Sequence, residues 1–115
     1  MVVIKDVNSG FIGTNLEEIL RSHFGTHENT KVYILGLSTD HCVSTTTRMA
    51  GNLKVSGEVV LIGDATAAWE KVVEEGDGEG LDAELVMRVH LQSLREFARV
   101  STTKRVLEEV EALRD

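Results

Sequence analysis

The stretch Gly36-Leu37-Ser38-Thr39-Asp40-His41-Cys42-Val43 decides how the rest of the 115-residue chain is read. It directly follows the apolar run Val32-Tyr33-Ile34-Leu35 and precedes a segment that reads as helical. That run is aliphatic, aromatic and β-branched without alternation, so Lys31 to Gly36 is expected to be a central parallel strand covered on both faces. The only cysteine of the chain, Cys42, then stands where a strand turns into the N-terminus of a helix. Unpaired backbone N–H groups and the positive end of the helix dipole favour a thiolate there, and the thiolate is the nucleophilic form. A lone cysteine also serves as a small buried hydrophobe, and position and residue type leave both readings open.

Downstream, Val43 to Ala50 sits where a helix belongs, yet Thr45, Thr46 and Thr47 are β-branched and can bond their own backbone. A helix imposed by packing, with small side chains against another helix, and an irregular loop both fit. Glu58 to Asp64 reads as the next buried strand, ending in a Gly-Asp turn, with a short helix or loop from Ala65 to Val73 carrying Trp69. Glu74 to Gly80 alternates acids with glycines and is expected to be a mobile surface loop, its oxygen spacing unlike that of a calcium loop. Leu81 to Phe97 is expected to be the longest helix, with Leu81, Leu85, Val86, Val89, Leu94 and Phe97 on one face. Ala98 to Val100 suits a short edge strand. Ser101 or Thr102 can cap a last helix bearing Val106, Leu107, Val110 and Leu113.

Upstream, Val2-Val3-Ile4 is consistent with a short buried strand, followed by the turn-rich Asp6 to Gly10. Thr14 and Glu17 have capping-box spacing ahead of Leu16, Ile19, Leu20 and Phe24, and Gly25 stops that helix. Strands alternating with helices predict an α/β fold with a parallel sheet. Ligands bind beyond the C-terminal strand ends of such sheets, where Lys5, Ser38 to Cys42 and Asp64 are expected to meet.

One domain over residues 1–115 is what this length allows. A single cysteine excludes an internal disulfide framework and a multi-cysteine zinc site, and fits a reducing compartment. His23, His27 and His90 lack ligand spacing, so no metal is expected, and no phosphate-loop motif calls for a nucleotide cofactor. A net charge of −7 argues against a nucleic-acid surface. No signal-like leader and no apolar run near the roughly 18 residues of a membrane span is present, which points to the cytoplasm. His41, although adjacent to Cys42, is poorly directed to act as its base across a helix start.

Two linked motifs carry a resemblance. Lys5-Asp6-Val7-Asn8-Ser9-Gly10-Phe11, followed by Gly13-Thr14-Asn15-Leu16, is similar to the lysine element of the isochorismatase-like cysteine hydrolases. Gly36 to Val43 with Thr46 resembles that family's nucleophile signature, Gly63-Asp64-Ala65-Thr66-Ala67 its next strand end, and His90 with Leu94 its late helix. The resemblance implies a Rossmann-like three-layer α/β/α fold and hydrolysis of a small amide, as in nicotinamidases, through an acyl-enzyme on Cys42. Lys5 would steady the thiolate. Backbone N–H groups of Ser38 and Cys42 would form the oxyanion hole beside a cis Leu37–Ser38 peptide, and Phe11 and Leu37 would line the substrate pocket. The family's aspartate ends an N-terminal strand that should precede Lys5, and the chain has no counterpart of it or of two further strands. An N-terminally shortened domain is therefore expected: either an amidohydrolase completed by a partner, or an inactive member serving as an oligomer subunit or binding module. An exposed strand edge and the small-residue helix after Cys42 both favour homo-oligomers.

Overall fold

The computed structural model describes residues 1–26, 28–69 and 80–114. Within them the elements follow in the order α1 (Leu16–Phe24), β1 (Lys31–Leu37), α2 (Cys42–Leu53), β2 (Glu58–Ala67), α3 (Ala83–Leu94), β3 (Arg99–Ser101) and α4 (Thr103–Ala112). The three strands form one parallel sheet in the order β1-β2-β3. Helical cover on both faces makes three layers, and the pleat of β2 assigns its side chains alternately to them. Val59 and Leu61 join Val43, Ala50, Val55, Leu94 and Ala98 in the larger core, with Val32, Ile34 and Leu20 packed around it. Val60 and Ile62 meet Val106 of α4 on the other face, flanked by Tyr33.

Among the described residues β2 takes the central position and β1 stands at an edge, the exposed edge expected where the family's further strands are not spanned. The first half of β1 is covered on both faces, Val32 and Ile34 packing on the larger core and Tyr33 on the smaller one. Apolarity on two faces reports the helical layers above and below, not the hydrogen-bonded neighbours in the plane of the sheet. Cover does not extend to the C-terminal half of β1, where Leu35 is 59% and Leu37 75% exposed. Val2 to Ile4 is not a strand either: its backbone pairs with no other described segment, and Val2 and Ile4 are exposed. Three β-branched residues cannot hold an extended ladder without a partner.

β2 outruns its expected end. It pairs Ile34 with Leu61 and then Gly36 with Thr66, so residues 62–65 of β2 lie opposite Leu35 alone. Asp64 sits inside this irregularity, not at a strand end. Its Oδ1 accepts hydrogen bonds from Thr103 N–H and Thr103 Oγ1, both at 2.8 Å, which fixes the start of α4. Thr102 caps the same helix by accepting from Arg105 N–H. Arg99 of β3 spreads its guanidinium between Glu58 at the start of β2 and Glu109 of α4, at 3.0–3.3 Å. Those bonds, the one to Glu109 foremost, raise the Arg99 pKa, and the same contact lowers that of Glu109.

The threonine-rich segment after Cys42 is a helix. Packing supplies what propensity lacks: Thr47 and Ala50 are fully buried, and Gly51 brings the α2 backbone against Phe97. A Cβ on Gly51 would come within 2.6 Å of the Phe97 carbonyl oxygen. Gly25 ends α1 as expected, its N–H donating to Arg21 O. The Thr14/Glu17 capping box is not formed. Leu16 N–H donates to Thr14 Oγ1, while the Glu17 carboxylate turns to Arg21 at 2.8 Å.

α3 is shorter than the periodicity predicts, opening at the N-cap Asp82 and closing at Leu94. It meets the core through Leu91 and Leu94, and Phe97 packs just beyond its end. Leu81, Leu85 and Val89 of the expected buried face are exposed. A helical stripe marks which residues share a side, and only the C-terminal part of this one reaches the sheet. Of the expected acidic loop only Gly80 is described; residues 70–79, which also end the expected Ala65–Val73 segment, lie outside the described residues.

Candidate active site

Cys42 is the first residue of α2, and the segment before it is tied tightly to the sheet. Ser38 O accepts from both His41 N–H and Val43 N–H, at 3.1 and 3.2 Å, closing the turn that presents the thiol. Thr39 N–H donates to Ala67 O, and the fully buried Thr39 Oγ1 donates to Thr66 Oγ1 at 2.8 Å, which donates on to Gly63 O. The far end of β2 thus positions the turn. The Leu37–Ser38 peptide is cis, as the resemblance implies. His41 occupies the N-cap of α2 without a side-chain capping bond. First-turn N–H groups have no acceptor within their own helix, and Cys42 N–H is one of them.

Lys5 reaches the same point from the N-terminal segment. Its Nζ donates to Cys42 Sγ at 3.2 Å and to Val7 O at 2.9 Å. Two clips hold that segment along α2: Gly10 N–H donates to Thr46 Oγ1 at 3.0 Å, and Ser9 Oγ to Met49 Sδ at 2.7 Å. Thr46 and Met49 follow Cys42 by one and two helical turns, so both clips lie on the helix whose first residue Lys5 contacts. Asn8 Oδ1 lies 3.9 Å from Cys42 Sγ as a weak acceptor. Nothing in the sequence singles out Asn8 beyond its place in the turn after Lys5.

Of the groups expected to meet at the strand ends, Lys5 and the Ser38–Cys42 segment do so and Asp64 does not. Phe11 packs on the larger core, partly buried. Leu37 lies beside the cis peptide on the open edge of β1. His41 stacks on Trp69, with centroids 4.5 Å apart and planes 18° from parallel, and its Nε2 is 3.5 Å from Asp40 Oδ2. Its ring is therefore engaged with Trp69 and Asp40. His90 of α3 places Nε2 2.6 Å from Ser44 Oγ, joining α3 to the first turn of α2. Neither pairing is visible from sequence spacing, since each joins distant segments. Among the described residues no three metal-ligating side chains come together.

The Lys5–Cys42 contact and the cis turn together place the thiol beside a lysine at the start of a helix. Residues 1–104 match the family model for the isochorismatase domain. The chain belongs to the isochorismatase family. It is 44% identical over 108 residues to an uncharacterized isochorismatase family protein of Bacillus subtilis, YrdC, covering 93% of this chain and 54% of that one. The crystal structure of a cysteine hydrolase from Pseudomonas syringae superposes with a TM-score of 0.81 at 27% identity, over 97% of this chain and 49% of that one. N-carbamoylsarcosine amidase from Thermoplasma acidophilum superposes with a TM-score of 0.54 at 28% identity, over 88% of this chain and 47% of that one. This isochorismatase-family chain spans about half the length of the relatives it matches. Among the described residues, no helix is long and apolar enough to cross a membrane.

Proposed function

We propose that this isochorismatase-family chain carries the nucleophile of a cysteine hydrolase that cleaves the C–N bond of a small amide. The observation that carries the reading is the 3.2 Å contact between Lys5 Nζ and Cys42 Sγ. A lysine at that distance gives the sulfur a donor beside it, and a thiolate attacks a carbonyl where a thiol does not. Sγ adds to the amide carbonyl carbon, and the oxygen takes up negative charge against the N–H groups of Ser38 and Cys42. The C–N bond then breaks, the nitrogen leaving with a proton as ammonia or an amine. Water attacks the resulting thioester, the C–S bond breaks, and the carboxylic acid departs as the thiol is restored. Water is the only co-reactant, so the scheme calls for no metal or cofactor.

Phe11 and Leu37 are proposed to flank the acyl group. The amidase among the solved relatives supports an amide as the substrate class. The proton delivered to the leaving nitrogen is proposed to come from an aspartate in the part of the family fold that this chain does not span. A reduced thiol suits the cytoplasm. Copies of the chain are expected to associate, in keeping with the exposed Leu85 and Val89 on α3.

Ammonia release from nicotinamide and other small amides tests the reading. The chain is assayed alone and with the unmatched part of the Bacillus subtilis relative, and Cys42→Ala is assayed in parallel. Turnover lost in Cys42→Ala, with an acyl mass adduct on the wild-type Cys42 peptide, is the expected result. Turnover no greater than that of Cys42→Ala would leave a binding module in place of an enzyme.

A further inference from the structure

We infer that the groove where β3 runs into α4 binds a phosphate group, held by the Ser101 hydroxyl, the Lys104 ammonium and the Arg105 guanidinium. The groove encloses about 470 Å³, and its walls include Ser101, Thr102, Lys104, Arg105 and Glu108. That volume falls in the range of small-molecule pockets. It leaves room beside a phosphate for the body of a phosphate monoester.

Ser101 supplies the first observation. It is 7% exposed, and its Oγ is buried with no hydrogen-bond partner among the described residues. A buried hydroxyl left unpaired is costly, and a bound ion is one of the few reasons for a native fold to keep one. Strand register gives the direction of the side chain. Val60 stands opposite Arg99 and Ile62 opposite Ser101 in the β2–β3 pair. Val60 and Ile62 pack on Val106 of α4, and Arg99 reaches Glu109 of the same helix. Residues opposite one another in a sheet share a face, so Ser101 is turned towards α4, at the floor of the groove.

The first turn of α4 supplies the charge. It holds no acidic residue, and a helix start favours anions. Thr103 N–H donates to Asp64 Oδ1 and Arg105 N–H to Thr102 Oγ1, which leaves Lys104 N–H as a first-turn donor without an acceptor. Lys104 and Arg105 are exposed, and neither forms an ion pair among the described residues although the chain carries a net charge of −7. Glu108 is the acidic residue of the groove and bonds to neither cation; Asp64 is engaged by Thr103. Two cations, an N–H and a hydroxyl offer more donors than the two oxygens of a carboxylate can use. They suit the three terminal oxygens of a phosphate. Neither Lys5 nor Cys42 lines this groove, so the inference goes beyond the amide chemistry and does not rest on it.

The 115-residue chain is titrated with inorganic phosphate and with glycerol phosphate, against sodium chloride of matched ionic strength, and followed by amide NMR shifts. Saturable shifts centred on the amides of Ser101 to Arg105 are expected. Lys104→Met combined with Arg105→Met weakens binding by about tenfold or more, the scale of losing a hydrogen bond to a charged group. Ser101→Ala weakens it severalfold with unchanged circular dichroism, and Arg114→Met, beyond the end of α4, binds as the wild type does. Tighter binding of glycerol phosphate upholds the site with an ester as its ligand, and equal binding upholds it with free phosphate. Shifts reproduced by sodium chloride, shifts that never saturate, or undiminished binding in Ser101→Ala or in the double variant overturn the inference. Should Ser101→Ala fail to fold, the double variant, which alters exposed side chains alone, decides the matter.

Discussion

Lys5 Nζ and Cys42 Sγ lie 3.2 Å apart although 37 residues separate them in the chain. The contact is made because Ser9 and Gly10 are clipped to α2 through Met49 and Thr46. Lys5 thereby holds a hydrogen-bond donor against the side chain proposed to attack the substrate. Lys5→Met should therefore slow alkylation of Cys42 by iodoacetamide at pH 7 severalfold, while Lys5→Arg keeps part of the rate. Equal rates in wild type and Lys5→Met would mean that the ammonium does not activate the thiol.

Loosening the clip should act on the same reaction from a distance. Thr46→Val removes the acceptor of the Gly10 N–H without touching Lys5 or Cys42. Alkylation of Cys42 should slow in Thr46→Val, by less than in Lys5→Met, and the stability loss should be about 1 kcal/mol, the usual worth of one such bond. A full alkylation rate with unchanged denaturant stability would show that Lys5 is held by other means.

The Thr39–Thr66 hydroxyl pair predicts strong non-additivity. Thr66→Val strands the buried Thr39 hydroxyl, which costs about 1–3 kcal/mol. Thr39→Val together with Thr66→Val removes both partners, so the double variant should be more stable than the sum of the single losses implies. Urea unfolding of the four proteins checks this, and additive losses would rule out direct coupling.

Arg99 makes stability depend on acid. Glu109 is held below the ordinary carboxylate range, first by its hydrogen bond from Arg99. A depressed carboxyl contributes stability that is complete above the unfolded carboxylate range and is lost as pH falls through the lower folded value. Arg99→Met should thus lower the melting temperature near pH 7 and flatten its decline below about pH 5. Parallel acid-side melting curves for the two proteins would contradict the assignment.

Gly51 is constrained by contact with the turn that follows α3. Gly51→Ala gains helix propensity of about 1 kcal/mol, but its Cβ would meet the Phe97 carbonyl oxygen at 2.6 Å. Backbone must move to relieve that approach, so the variant should lose about 1–3 kcal/mol in urea unfolding. A stabilised Gly51→Ala would show that the two segments separate easily.

The strand–helix alternation was legible because β1 and β2 are apolar enough to declare themselves, and Cys42 stood out as the only thiol at a strand-to-helix turn. The Lys5 partnership came with a motif resemblance; residue type and spacing left Lys5 an ordinary lysine. Sheet order was not legible. Apolar residues on both sides of β1 report cover above and below, and carry no information about what lies alongside. The role of Asp64 was hidden for a related reason: a Gly-Asp pair resembles a turn, whereas β2 passes through it and resumes pairing at Thr66. The Ser44–His90 and His41–Trp69 pairs depend on tertiary approach, which local periodicity does not encode.

The uneven pairing of β1 and β2 separates two tasks that a regular ladder would force one strand end to share. Residues 62–65 of β2 have only Leu35 opposite them, so Asp64 can anchor α4 while Thr66 and Ala67 anchor the cysteine turn. Two attachment points on one strand can then drift independently under mutation. Changes at the Asp64–Thr103 joint can retune how firmly the outer helix is fastened, with the nucleophile left where it is.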